Sequence, residues 1–167
     1  MDNIILIGMP AVGKSTVGVV VAKRLGYRFI DSDLEIQSQE GKRLPELIEE
    51  FGTEGFLDIE ARVNASIEAE RCVIATGGSV VYRDSAMQHL KEIGTVVYLK
   101  LTCEELEERL GDLRCRGVAL QEGQTLQSLY EERIPLYEKY ADITVDETNM
   151  SVEETMEQVV LRYRSRK

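Results

Sequence analysis

The segment GMPAVGKST (8–16) holds the residues best suited to chemistry, and it fits G-x-x-x-x-G-K-[ST]. Each fixed position has a physical reason. Gly8 and Gly13 permit a tight backbone loop whose N–H groups converge on phosphate oxygens. A helix starting near Lys14 adds its positive N-terminal end. Lys14 can reach the β- and γ-phosphates, and the Ser15 hydroxyl can ligate Mg²⁺. Gly8, Ala11, Val12, Gly13, Lys14, Ser15 and Thr16 are therefore the candidate nucleotide-binding residues, with a nucleoside triphosphate and Mg²⁺ as the expected ligands. A second feature stands in FIDSDLEI (29–36), where Asp31 and Asp33 lie two residues apart between a short apolar run and a helical pattern. Aspartate before a helix ordinarily satisfies its free N–H groups. Capping explains one such carboxylate more readily than two.

These residues need elements to position them. NIILIG (3–8) is a continuous apolar run ended by glycine, the pattern of a strand buried on both faces. A helix follows over 14–26, stopped by Gly26. YRFID (27–31) predicts a second strand and CVIATGG (72–78) a third leading into glycines. TVVYLKL (95–101) and DITVD (142–146) supply the fourth and fifth. Helical patterns cover 33–40, 44–70 with a break near Gly52 and Gly55, 83–94, 102–111 with Thr102 as cap, 125–140 and 151–165. Five strands separated by helices predict a parallel sheet flanked by helices on both faces. In such sheets ligands bind at the carboxyl ends of strands. No repeat or linker divides the chain, so residues 1–167 are expected to form a single domain. The polar stretch 111–124 breaks the rhythm and is a candidate mobile lid.

Bulk properties narrow the function. The chain has 167 residues, 43 % hydrophobic and 30 % charged, an ordinary globular balance. A net charge of −10 argues against a nucleic-acid surface, which needs clustered lysine and arginine. A local pocket on an acidic protein can still be positive. Cys72, Cys103 and Cys115 form no C-x-x-C pair, so neither a disulfide framework nor a zinc site is expected. No apolar run spans a membrane, and the N-terminus lacks the features of a signal peptide. A cytoplasmic protein acting on a small molecule, with no obligate protein partner, fits this composition.

A phosphate loop serves kinases, ATPases and GTPases alike. The guanine-reading N-K-x-D pattern is absent, and VIATGGSVV (73–81) offers no acidic residue of the Walker-B kind. By topology, Asp31 at the end of the second strand is the nearest candidate to help hold the metal. The ordered set GMPAVGKST, FIDSDLEI, FGTEGFLDIE (51–60), ATGG (75–78), ERIPLYEKYAD (132–142) and TVDETNMSVEE (144–154) resembles the shikimate kinase family, from Ile4 to about Glu154. The resemblance implies a P-loop kinase fold and ATP-dependent phosphorylation of a hydroxyl on a small anionic metabolite. For the family this is shikimate to shikimate 3-phosphate, a step of aromatic amino acid biosynthesis. It implies that Asp31 organises Mg²⁺ and that Asp33 holds the acceptor hydroxyl and assists its deprotonation; from the residues alone Asp33 also reads as a cap of its helix. Gly77 and Gly78 match a substrate-binding turn, Arg133 an arginine gripping the substrate carboxylate, and Arg116 a lid arginine over the phosphates. From the residues alone, Arg133 beside Glu131 and Glu132 also reads as a solvated surface arginine.

Three departures from the family bear on the acceptor. Its F-R-x-x-E motif is FLDIE here, keeping Phe56 and Glu60 but placing Leu57 where the family's carboxylate-binding arginine stands. Asp58 next door would repel a carboxylate if it faced the pocket. The family's G-G-G turn becomes GGS, adding Ser79, and Gly117 replaces a lid proline. These departures keep open a kinase of a different small hydroxy acid or polyol. A nucleotide-binding regulatory protein is a further alternative.

Overall fold

The computed structural model describes residues 2–110 and 123–167. Five strands, β1 (Asn3–Ile7), β2 (Arg28–Asp31), β3 (Cys72–Ala75), β4 (Gly94–Lys100) and β5 (Ile143–Asp146), form one sheet in the order β2-β3-β1-β4-β5. Every pairing is parallel. β1 is central, and Ile4, Ile5, Leu6 and Ile7 are fully buried, which is why that segment reads as an unbroken apolar run.

The helices are α1 (Lys14–Leu25), α2 (Ser32–Glu40), α3 (Leu44–Ala65), α4 (Asp84–Ile93), α5 (Cys103–Arg109), α6 (Leu126–Tyr140) and α7 (Val152–Arg164). The crossover through α1 runs from β1 toward β2, while the one through α4 runs from β3 to β4 in the opposite direction. Right-handed connections running in opposite directions put α1 and α4 on opposite faces. α1 packs against α7, and α4 against α3.

The expected break in α3 is present, while the end of α3 and the turn after β3 differ from the expectation. α3 stops at Ala65 rather than near 70, with Ser66 donating back to the Val63 carbonyl. Its kink lies at Gly52 (φ 71°, ψ 176°), whereas Gly55 is accommodated within the helix. A single 3₁₀ turn at Val80–Tyr82 follows the glycines after β3. Of the expected lid, residues 111–122 lie outside the described residues.

Register sets the site. Asp31 pairs with Ala75, which also pairs with Leu6, so three strands end at one level. The loop after β1, the carboxylate ending β2 and the glycines after β3 thus share one edge.

Candidate active site

Beyond β1 the chain turns at Gly8, with φ 148°. A Cβ there would stand 2.6 Å from the Leu99 carbonyl oxygen, so only glycine fits. Gly13 (φ 89°) precedes α1 and brings no capping side chain, which leaves the first N–H groups of the helix to a ligand. The buried Lys14 ammonium donates to the carbonyls of Gly8 (2.7 Å) and Met9 (2.8 Å). Burial pulls it down to about 8; Asp33 opposes that shift and Arg133 adds to it.

The two aspartates part company here. Asp31 caps α2, its Oδ1 accepting from the backbone N–H of Asp33 (3.0 Å) and of Leu34 (3.4 Å). Its Oδ2 accepts from the Ser15 hydroxyl at 2.6 Å. The cap is therefore Asp31, not Asp33 as expected, because the strand delivers Asp31 to the N-cap position with extended backbone (φ −101°, ψ 113°). Ser15 and Asp31 together present hard oxygen donors beside the loop, the donor type Mg²⁺ takes. Among the described residues no group of three or more His, Cys, Asp or Glu could cage a metal. Any Mg²⁺ here would complete its shell with phosphate and water.

Asp33, one residue into α2, lines a cleft of about 400 Å³ shared with Lys14, Glu60, Gly77, Gly78 and Arg133. Burial raises its carboxyl to about 6, and the neighbouring Asp31 charge adds to this against Lys14. A side chain on either glycine after β3 would press on the groups that line the cleft. A Cβ on Gly77 would lie 2.7 Å from both Asp33 Oδ1 and Glu60 Oε2. One on Gly78 would lie 2.8 Å from Arg133 Nη1 and 2.9 Å from Pro10 Cδ.

Arg133 is only 1 % exposed, so it is not the solvated arginine its acidic neighbours suggest. Its Nε donates to the Tyr82 hydroxyl (3.2 Å), its guanidinium lies 5.2 Å from the Tyr82 ring centre, and Tyr82 donates to Glu132 (2.6 Å). Tyr137 supports the same corner by donating to the Gly78 carbonyl (2.6 Å) and stacking on Tyr98.

Leu57 is 5 % exposed and packs among Ile36, Leu44, Leu47, Phe56 and Val63. It borders a separate cavity of about 130 Å³ with Tyr82 and Arg83, not the cleft itself. Asp58 does not face the cleft either; it is exposed and accepts from Arg83 Nε at 3.0 Å. Ser79 does reach inward, donating to Glu60 Oε1 at 2.6 Å. Arg116 and Gly117 lie outside the described residues.

Two buried carboxylates carried no role in the sequence reading. Glu60 is pushed up to about 7 by burial, with the Ser79 hydrogen bond opposing and Asp33 adding. Glu147, just past β5, is pushed to about 7 by burial against the pull of Arg109 and Lys14. It lines a second cavity of about 240 Å³ that shares Gly13 and Thr16 with the main cleft.

A parallel sheet whose central strand feeds this loop, with Asp31 and a cleft holding Lys14, Asp33, Glu60 and Arg133 on the same edge, defines a P-loop kinase fold. The family model for shikimate kinase matches residues 10–164. A shikimate kinase of Thermodesulfovibrio yellowstonii is 38 % identical over 166 residues, covering 98 % of this chain and 95 % of that one. One from Thiobacillus denitrificans is 39 % identical over 155 residues, covering 90 % and 84 %. The solved shikimate kinase of Acinetobacter baumannii in complex with shikimate superposes with a TM-score of 0.90 at 31 % identity, covering 100 % of this chain and 95 % of that one. The chain belongs to the shikimate kinase family, phosphotransferases with an alcohol group as acceptor.

Proposed function

We propose that this chain transfers the γ-phosphoryl group of ATP to a hydroxyl of shikimate, giving shikimate 3-phosphate. The kinase domain would span residues 1–167, with 111–124 as its lid. The observation that carries the reading is one cleft lined by Lys14 and the loop on one side and by Asp33, Gly77, Gly78 and Arg133 on the other. A solved relative that binds shikimate supports the choice of acceptor.

In this reading each residue has a role. Gly8, Ala11, Val12, Gly13 and Thr16 shape the loop whose amides hold the phosphates, and Lys14 meets their charge. Ser15 and Asp31 would hold Mg²⁺, which would supply positive charge beside the phosphates. Asp33 accepts the proton of the attacking hydroxyl at its carboxylate. Arg133 meets the acceptor carboxylate with a charge-assisted hydrogen bond, and the Tyr82 contact fixes its plane. Arg116, outside the described residues, would take the family's lid role over the transferring group and help exclude water. Phosphoryl transfer asks for this positioning and positive charge more than for covalent chemistry.

An ADP-release assay across shikimate and a panel of other hydroxy acids and polyols tests the reading. Turnover is expected with shikimate, and Lys14→Ala should lower it at least about a hundred-fold. Full transfer by Lys14→Ala, or turnover confined to another acceptor, would sink it.

A further inference from the structure

Two carboxyls and one guanidinium bound the acceptor end of the cleft, and two consecutive glycines show how they are arranged. Glu60 Oε2 and Asp33 Oδ1 face Gly77, each 2.7 Å from where its Cβ would stand. Arg133 Nη1 faces Gly78, at 2.8 Å from the corresponding point. An acceptor lying over these glycines meets all three groups together. What Arg133 offers an anion therefore depends on whether Glu60 carries a charge.

Ser79 acts on that charge directly. It is 5 % exposed, and its hydroxyl donates to Glu60 Oε1 at 2.6 Å. The turn does not require this side chain. Its backbone has an ordinary negative φ (−91°), and the hydroxyl caps nothing at the start of the 3₁₀ turn. The turn is closed by the backbone, Val80 N–H donating to the Gly77 carbonyl (3.3 Å) and Tyr82 N–H to the Ser79 carbonyl (3.1 Å). Glycine at 79 would close the same turn and leave Glu60 Oε1 without this donor. Leu57, three residues before Glu60 on α3, brings no charge to it and packs in the apolar cluster.

The balance at Glu60 is close. Burial raises its carboxyl to about 7, the Ser79 bond pulls it down, Asp33 of α2 raises it, and Arg133 of α6 and Lys14 of α1 lower it. Tyr137 of α6 also feels the Glu60 charge, but its phenol is pushed up to about 12 by burial and stays neutral over this range.

We propose that Ser79, by donating to Glu60, sets the charge that an anionic acceptor meets beside Arg133, and is thereby a specificity-determining position of this chain. Ser79 acts through Glu60 and is a positioning residue. The inference rests on the acceptor carrying a carboxylate, as in the proposed function. A carboxylate brought to Arg133 disfavours a second negative charge on Glu60. Binding then takes up a proton wherever the free chain holds Glu60 ionised, so affinity falls as pH rises above about 7. Without the Ser79 hydroxyl, Glu60 keeps its proton to higher pH and the fall begins later.

Calorimetric titration with shikimate between about pH 6 and pH 9 tests this. The native Kd should rise about three- to tenfold across the range. Heats in two buffers of different ionisation enthalpy should show uptake of part of a proton near the middle of that rise. Ser79→Ala should move the rise upward by about one pH unit and bind shikimate more tightly than the native chain at about pH 8, a gain that lost packing would not give. Ser79→Thr keeps the hydroxyl and should keep the native profile. Glu60→Gln still accepts from Ser79 but does not titrate, so both the rise and the proton uptake should disappear. A native Kd that is constant with pH would overturn the proposal. So would a rise that persists unchanged in Glu60→Gln, or one that keeps its native midpoint in Ser79→Ala. A native chain that binds no shikimate at any pH would remove the acceptor reading as well, an outcome distinct from binding that ignores pH.

Discussion

Asp33 is where environment and proposed role meet most directly. Its carboxyl sits at about 6 because burial and the Asp31 charge disfavour ionisation, with Lys14 only partly compensating. A group that must accept a proton works only when ionised, so turnover should fall as pH drops through about 6, with unit slope in a log plot. Asp33→Asn should lower kcat about 10²- to 10⁴-fold and abolish that limb of the profile. A pH–rate profile of both proteins over the acid range checks this. An acid limb that survives in the Asn variant would assign the titration to another group. Lys14 bears on the alkaline side: its ammonium at about 8 loses charge just above neutrality, unless phosphate oxygens raise it on binding.

At the scale of elements, one carboxylate joins three of them. Asp31 ends β2, caps α2 and receives the hydroxyl of the first turn of α1. Its two jobs use different oxygens and can be separated. Asp31→Asn keeps a capping oxygen and should leave stability nearly unchanged, whereas Asp31→Ala should lose about 1 kcal/mol. Both should raise the Mg²⁺ concentration needed for half-maximal activity, since both remove the negative charge. Urea denaturation and a Mg²⁺ titration read the two effects independently. If Asn restored the Mg²⁺ response of the native chain, the metal role would be lost. The elements themselves were largely legible. Buried parallel strands read as unbroken apolar runs, and the phosphate loop pattern encodes a backbone shape directly. The 3₁₀ turn at Val80–Tyr82 escaped because three residues carry no period, and the end of α3 because no glycine marks Ala65.

At the scale of the whole molecule, the sequence could not reveal which charges the fold buries. Arg133 stands between acidic residue Glu132 and Ile134 in the chain, yet the helical turn directs it inward while Glu132 remains exposed. Leu57 drew attention as a lost contact, but tertiary packing shows it serving an apolar cluster instead. Glu60 was marked in the sequence only as a retained motif position, with no role, because its burial depends on the turn after β3 closing over α3. That burial has a measurable consequence. The Glu60 carboxyl keeps its proton up to about 7 in the folded chain, against an ordinary 4.5 once unfolded. Between those values the folded state holds the extra proton, so stability falls as pH rises through the interval, and the cost is fully present above it. The displacement corresponds to roughly 3 kcal/mol at most. Glu60→Gln removes the titration while its amide oxygen can still accept from Ser79. The variant should therefore gain stability relative to the native chain at pH 8 and lose most of that advantage near pH 4.5. Denaturation midpoints for both proteins at the two pH values measure the difference directly. A stability difference that did not change with pH would mean that the Glu60 carboxylate is already satisfied in the folded state.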